Sequence, residues 1–153
     1  MTARSGLLAG LTAALAVVAL TGCSKPTPLV SVVAGGTTVH TDATLYCFAG
    51  QSIAKKDCRI ADGRTPTVLR VKPGQQVGID VAKQLATSGW VVVLPGTGQA
   101  QAQSSGKQTG HYLTFVPQFS QQSPRVDLEV RMLDHGSTSK PTVGVWQFVL
   151  VPA

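Results

Sequence analysis

Val126-Asp127-Leu128-Glu129-Val130-Arg131-Met132 alternates without a break: Val126, Leu128, Val130 and Met132 fall on one side, Asp127, Glu129 and Arg131 on the other. Side chains of an extended strand point to opposite faces in turn, so this stretch reads as a strand with one buried face and one wet face. Such a strand belongs in an antiparallel sheet, because strands of parallel sheets are covered on both sides and read as continuous apolar runs. Val143-Gly144-Val145-Trp146-Gln147-Phe148-Val149-Leu150-Val151 is a second long strand, rich in β-branched and aromatic residues.

Further towards the N-terminus the signature recurs. His111 to Phe115 alternates, and Trp90 to Leu94 is an apolar run halted by Pro95-Gly96. Gln76 to Val81 sets Val77, Ile79 and Val81 on one face, and Thr67 to Val71 alternates up to Pro73-Gly74. Thr44 to Phe48 is a short aromatic strand. Leu29 to Ala34 is Val-rich and ends at Gly35-Gly36, with Thr37 to His40 continuing beyond. Only Ile79 to Ala86 has any helical spacing, and Lys83 to Ser88 reads as a loop. Gly96 to Gly110 contains Gly, Gln, Ser and Ala and no large apolar side chain, so it reads as a mobile hairpin loop. Short strands between regular turns predict one all-β domain over residues 29–153. The expected architecture is an antiparallel β-sandwich of about 7–8 strands, immunoglobulin-like in its Pro-Gly turns and its final Trp-x-Phe-x-Leu strand.

The N-terminus carries an address. Arg4 precedes an uncharged apolar stretch from Leu7 to Leu20. That length suits a secretory signal and is short of the roughly 20 apolar residues that span a bilayer. The stretch closes on Leu20-Thr21-Gly22-Cys23, which resembles a lipobox. In proteins bearing that motif the Cys thiol receives a diacylglyceryl group and the signal is cut just before it. Residues 1–22 are therefore expected to be removed and Cys23 to be lipidated, anchoring the protein on the extracytoplasmic face of the cell membrane. Two or three acyl chains hold far more firmly than one, at about 0.8 kcal/mol per buried methylene. Ser24-Lys25-Pro26-Thr27-Pro28 completes a short extended tether, residues 23–28.

With Cys23 assigned, Cys47 and Cys58 remain, with ten residues between them. An even pair in an exported protein is expected to form a disulfide, and the spacing matches neither a C-x-x-C redox site nor a zinc step. The full chain carries a net charge of +6, of which the signal contributes only Arg4. The cations are scattered and lack the basic stripe of a nucleic-acid surface, so they read first as solvated surface charge, with weak attraction to anionic headgroups as the functional alternative.

The catalytic inventory is poor. The carboxylates Asp42, Asp57, Asp62, Asp80, Asp127, Glu129 and Asp134 form no motif, and no G-x-S-x-G elbow or phosphate loop is present. His40, His111 and His135 are unclustered, so no metal or cofactor is implied, although a spatial three-His site stays open as a carrier alternative. Trp90, Trp146 and Tyr112 are the candidate binding residues. Aromatics at a sandwich surface stack on sugars or grip partners, while the usual place of a Trp is the core.

Gly74-x-x-Val77-x-Ile79 and Ser88-Gly89-Trp90 resemble the layout of chagasin-like cysteine-protease inhibitors. The Asn-Pro-Thr-Thr-Gly loop of those inhibitors is Leu85-Ala86-Thr87-Ser88-Gly89 here, and the chain has no Asn. A broader likeness runs through Cys23-Ser24-Lys25-Pro26-Thr27-Pro28, the Cys47/Cys58 pair, Gly89-Trp90 and Val143-Gly144-Val145-Trp146-x-Phe148. Together these look like a family of small actinobacterial lipoproteins classed as a domain of unknown function. That resemblance implies secretion, anchoring and the disulfide, and supplies no activity. The expected function is a non-enzymatic binding or adaptor module for an envelope protein or glycan. An enzyme acting on envelope material, or a metal or small-ligand carrier, is the alternative.

Overall fold

The computed structural model describes residues 25–48, 58–61, 65–95, 103–121, 123–134 and 142–153. The signal segment, Cys23, His135 and the central residues of the Cys47–Cys58 loop lie outside the described residues. In chain order the strands are β1 (Val30–Ala34), β2 (Thr37–Thr41), β3 (Leu45–Cys47), β4 (Cys58–Ile60), β5 (Thr67–Val71) and β6 (Val77–Val81). A short helix α1 (Lys83–Ser88) precedes β7 (Trp90–Leu94), β8 (Gln103–Ser104), β9 (Tyr112–Phe115), β10 (Val126–Leu133) and β11 (Thr142–Pro152).

Two sheets pack face to face as an all-β sandwich. The smaller has the order β2-β1-β6-β9. The larger runs β4-β3-β11-β10-β7-β8, with β5 also paired to β11. The alternating residues decide which way each sheet faces. Val30, Val32, Val77, Ile79 and Val81 point inward from the small sheet, and Leu69, Val71, Val92, Leu128, Val130, Trp146, Phe148 and Leu150 from the large one. This apolar burial, at roughly 25 cal/mol per Å², is the main force holding the layers together.

Four expectations change. The described residues contain eleven strands rather than seven or eight, because β4 and β8 are edge strands of three and two residues and Thr37–Thr41, expected to continue β1, turns back at Gly35-Gly36 as a separate antiparallel strand. The pairing is antiparallel except for β5, which runs parallel to β11 from Phe148↔Thr67 to Pro152↔Val71. It takes that place because β3 bonds β11 only at Gly144 and Val145, leaving the rest of that edge open. Lys83 to Ser88 is helical, not a loop: Leu85 and Ala86 turn into the core, and the Gly89 N–H donates to the Leu85 carbonyl at 2.8 Å. The later part of the Gly96–Gly110 stretch is tied down as well. Gln103 and Ser104 pair with Leu94 and Val93, and Trp90 and Gln108 exchange backbone hydrogen bonds at 3.0 and 2.7 Å.

Cys47 and Cys58 are directly opposite each other on β3 and β4 and are disulfide-bonded. The bond closes a hairpin within the large sheet and does not bridge the two sheets. Burial holds the neighbouring Tyr46 phenol above its ordinary pKa. Cross-linking so short a loop stabilises by about 3 kcal/mol through lost chain entropy in the unfolded state. Replacing both cysteines by Ser is expected to lower the unfolding free energy by about that amount; a denaturant midpoint equal to the parent's would contradict it.

Candidate functional site

The tryptophans proposed as binding residues are both fully buried. This corrects the expectation for Trp90 and Trp146: each indole is a core side chain with its single N–H satisfied. Trp90 Nε1 donates to the Gly110 carbonyl at 2.8 Å, and Trp146 Nε1 to the Pro28 carbonyl at 2.9 Å. The Trp146 ring also fills the space that a β-carbon at Gly144 would need, and Tyr46 packs edge-on beside it with ring centroids 6.0 Å apart.

Tyr112 behaves differently. It lies on the outer face of the small sheet and is 57 % exposed, among the most exposed large side chains described. Its ring leans across β6 above Gly78, where a β-carbon would overlap the phenol. The glycine is thus required by close approach, which is what an isolated Gly within the alternating Val77-Gly78-Ile79 pattern signals. The hydroxyl end of the ring thus lies over the sheet instead of standing free in solvent.

The register supplies its neighbours. Tyr112 pairs with Asp80, Asp80 with Ser31, and Ser31 with His40, so one row across all four strands reads His40, Ser31, Asp80, Tyr112. The adjacent row reads Thr38, Val33, Gly78, Thr114, and Gln76 Nε2 donates to Thr114 Oγ1 at 3.1 Å. His40, Asp80 and Thr114 are exposed. Strands lie about 4.8 Å apart, so this row places an aromatic plane, a carboxylate, a hydroxyl and an imidazole along roughly 15 Å of open sheet. Such a face can stack on an apolar ring surface and hydrogen-bond along its edge.

The opposite face is built otherwise. Arg125 pairs with Asp127 and Arg131 with Glu129, and Gln147 Nε2 donates to Glu129 Oε1 at 3.2 Å. A shallow cleft of about 270 Å³ lies there, lined by Pro66, Pro95, Arg125, Asp127, Glu129 and Gln147. Its charges already satisfy one another. A smaller apolar opening of about 160 Å³ separates the sheets between Val92, Leu94, Leu113 and Phe115.

The arrangement also bears on catalysis and metals. Asp80 faces outward from one sheet, and Asp127 and Glu129 from the other, so the core separates them. His40 and His111 belong to opposite edges of the small sheet, roughly 14 Å apart at three strand spacings. They cannot share an ion, and among the described residues no three His, Cys, Asp or Glu side chains are grouped to hold one. Compared with protein-family models, curated proteins and solved structures, the chain matches none.

Sequence reading reached Tyr112 but missed His40, Ser31 and Asp80 as its companions. Alternation assigns each residue to a face, whereas the companions come from strand order and register. Gly78 was the available signal.

Proposed function

We propose that this protein is a non-enzymatic binding module, held through acylated Cys23 on the outer side of the cytoplasmic membrane, that engages an envelope glycan with the outer face of its small sheet. The observation carrying the reading is the Tyr112 ring, leaning over Gly78, largely exposed, and in register with Asp80, Ser31 and His40. Sugar rings present an apolar face edged with hydroxyls. A flat aromatic plane beside a carboxylate, a hydroxyl and an imidazole complements both features. The address is supported by Leu20-Thr21-Gly22-Cys23 after its apolar segment.

Titration of the lipidated protein in vesicles with soluble envelope-glycan fragments tests this reading. Stacking on one aromatic ring is worth about 0.5–1.5 kcal/mol, so Tyr112→Ala is expected to weaken binding by up to roughly tenfold while Tyr112→Phe retains most of it. Equal affinity of the parent and Tyr112→Ala would refute this face as the glycan site. Capture of a protein through the same face, with no glycan bound, would refute the ligand class.

A further inference from the structure

We infer that two copies of this chain pair edge to edge through β9, antiparallel and in register about Thr114, so that their small sheets join into one. The pairing uses the edge of the sheet and leaves its outer face open. It therefore requires neither the glycan nor the acyl anchor proposed above.

The first observation is that β9 has an open side. It is the last strand of its sheet and pairs only with β6. Successive residues of an antiparallel strand turn their N–H and C=O groups to one neighbour and then the other. The Val81 N–H donates to the His111 carbonyl at 2.9 Å, and the Ala82 N–H to the Leu29 carbonyl at 3.2 Å, which fixes the alternation. His111, Leu113 and Phe115 thus turn their backbone groups to β6, while those of Tyr112 and Thr114 point away from it. Among the described residues no backbone group bonds them from that side. Val116 continues the extended run, because Pro117 disfavours helical backbone in the residue before it. No charge or proline falls between Tyr112 and Val116 to turn a further strand away.

The second observation is that this edge is complementary to itself. An antiparallel pair centred on Thr114 sets Thr114 opposite Thr114 of the second copy, Leu113 opposite Phe115, and Tyr112 opposite Val116. Opposed residues share a face of the joined sheet. Leu113 and Phe115 line the apolar opening with Val92 and Leu94, and Phe115 and Leu113 of the second copy extend that lining. On the outer face Tyr112 meets Val116, and both are among the few large apolar side chains left exposed. The Tyr112 ring leans back over Gly78, which leaves the space above the open edge to Val116 of the second copy. Every opposed pair is then apolar or Thr on Thr, the combinations that stabilise a sheet. A register shifted by one residue would set side chains of opposite faces against each other. A shift by two would oppose Leu113 to itself, Phe115 to His111 and Val116 to Gly110, and lose both Tyr–Val contacts. Five residues make a contact smaller than a standard interface, so the pair exchanges readily and is read by crosslinking.

Disulfide trapping in the full mature protein tests this. Two differently tagged populations, Leu113→Cys and Phe115→Cys, are mixed and oxidised, and mass spectrometry identifies which cysteines are joined and that Cys47–Cys58 is intact. Opposed residues that exchange no hydrogen bonds have Cα atoms about 4.5 Å apart, within disulfide reach, whereas Leu113 and Leu113 of the second copy are roughly 8 Å apart. The mixture should give several-fold more dimer than either population alone or than Arg125→Cys. Thr114→Lys in both populations opposes two like charges at the centre, and Thr114→Pro removes an edge N–H that β6 does not use; each should abolish that excess. Equal yields from all populations, no dimer, or a mixed dimer untouched by Thr114→Lys would overturn the pairing. A yield greatest from Leu113→Cys alone would overturn the register.

Discussion

Cys23→Ala transfers the protein from the membrane pellet to the soluble fraction, or stalls it as an unprocessed precursor that retains residues 1–22. This is the largest effect expected of any single substitution. It follows from the proposed acylation, because buried methylenes contribute about 0.8 kcal/mol each and two or three acyl chains together far exceed what surface charge supplies. Fractionation with mass analysis of the N-terminus reads the result. Normal maturation and full membrane retention of the variant would show that Leu20-Thr21-Gly22-Cys23 is not a lipid-attachment site.

Trp146→Ala is the most damaging change inside the fold. Removing a buried indole costs about 3–5 kcal/mol in transfer and cavity terms. It also strips the Pro28 carbonyl of its donor and leaves Tyr46 without its edge-on partner. An unpaired, partly buried carbonyl adds up to about 1 kcal/mol. A domain of this size has about 5–15 kcal/mol in total, so the variant is expected to be largely unfolded or to melt far below the parent. Trp146→Phe keeps most of the volume and should be distinctly milder. Thermal unfolding followed by circular dichroism separates the two, and near-parental stability of Trp146→Ala would mean that the indole is not the keystone of this end.

Much of the sandwich was legible because a period of two is hard to mistake. Val126 to Met132 and Gln76 to Val81 alternate in sequence, and the structure buries the predicted side of each. The disulfide was equally readable from the two cysteines left over once Cys23 is read as a lipid-attachment site. What escaped had too little sequence to carry a pattern. Cys58–Ile60 and Gln103–Ser104 are shorter than two full alternations, and Lys83–Ser88 is under two helical turns. Pairing direction was hidden for a different reason. Thr67 to Val71 alternates like an antiparallel strand because its outer side is wet, with Val68 and Arg70 exposed, although it runs parallel to β11. Trp90 and Trp146 were ambiguous because an aromatic beside a polar loop fits either core or surface; the carbonyls of Gly110 and Pro28 let each indole be buried with its N–H paired. The row of His40, Ser31, Asp80 and Tyr112 exists only once four strands are ordered, and no local pattern encodes that order.

The central claim is that the Tyr112 face meets a glycan while the protein is anchored. Its most direct test is photocrosslinking in intact cells from a diazirine-bearing residue at Thr114, beside Tyr112, with Arg125 on the opposite sheet as the control position. The account predicts a glycan adduct from position 114, absent from position 125 and lost when Tyr112→Ala is added. Adducts of equal yield from both positions, or none from position 114, would contradict it.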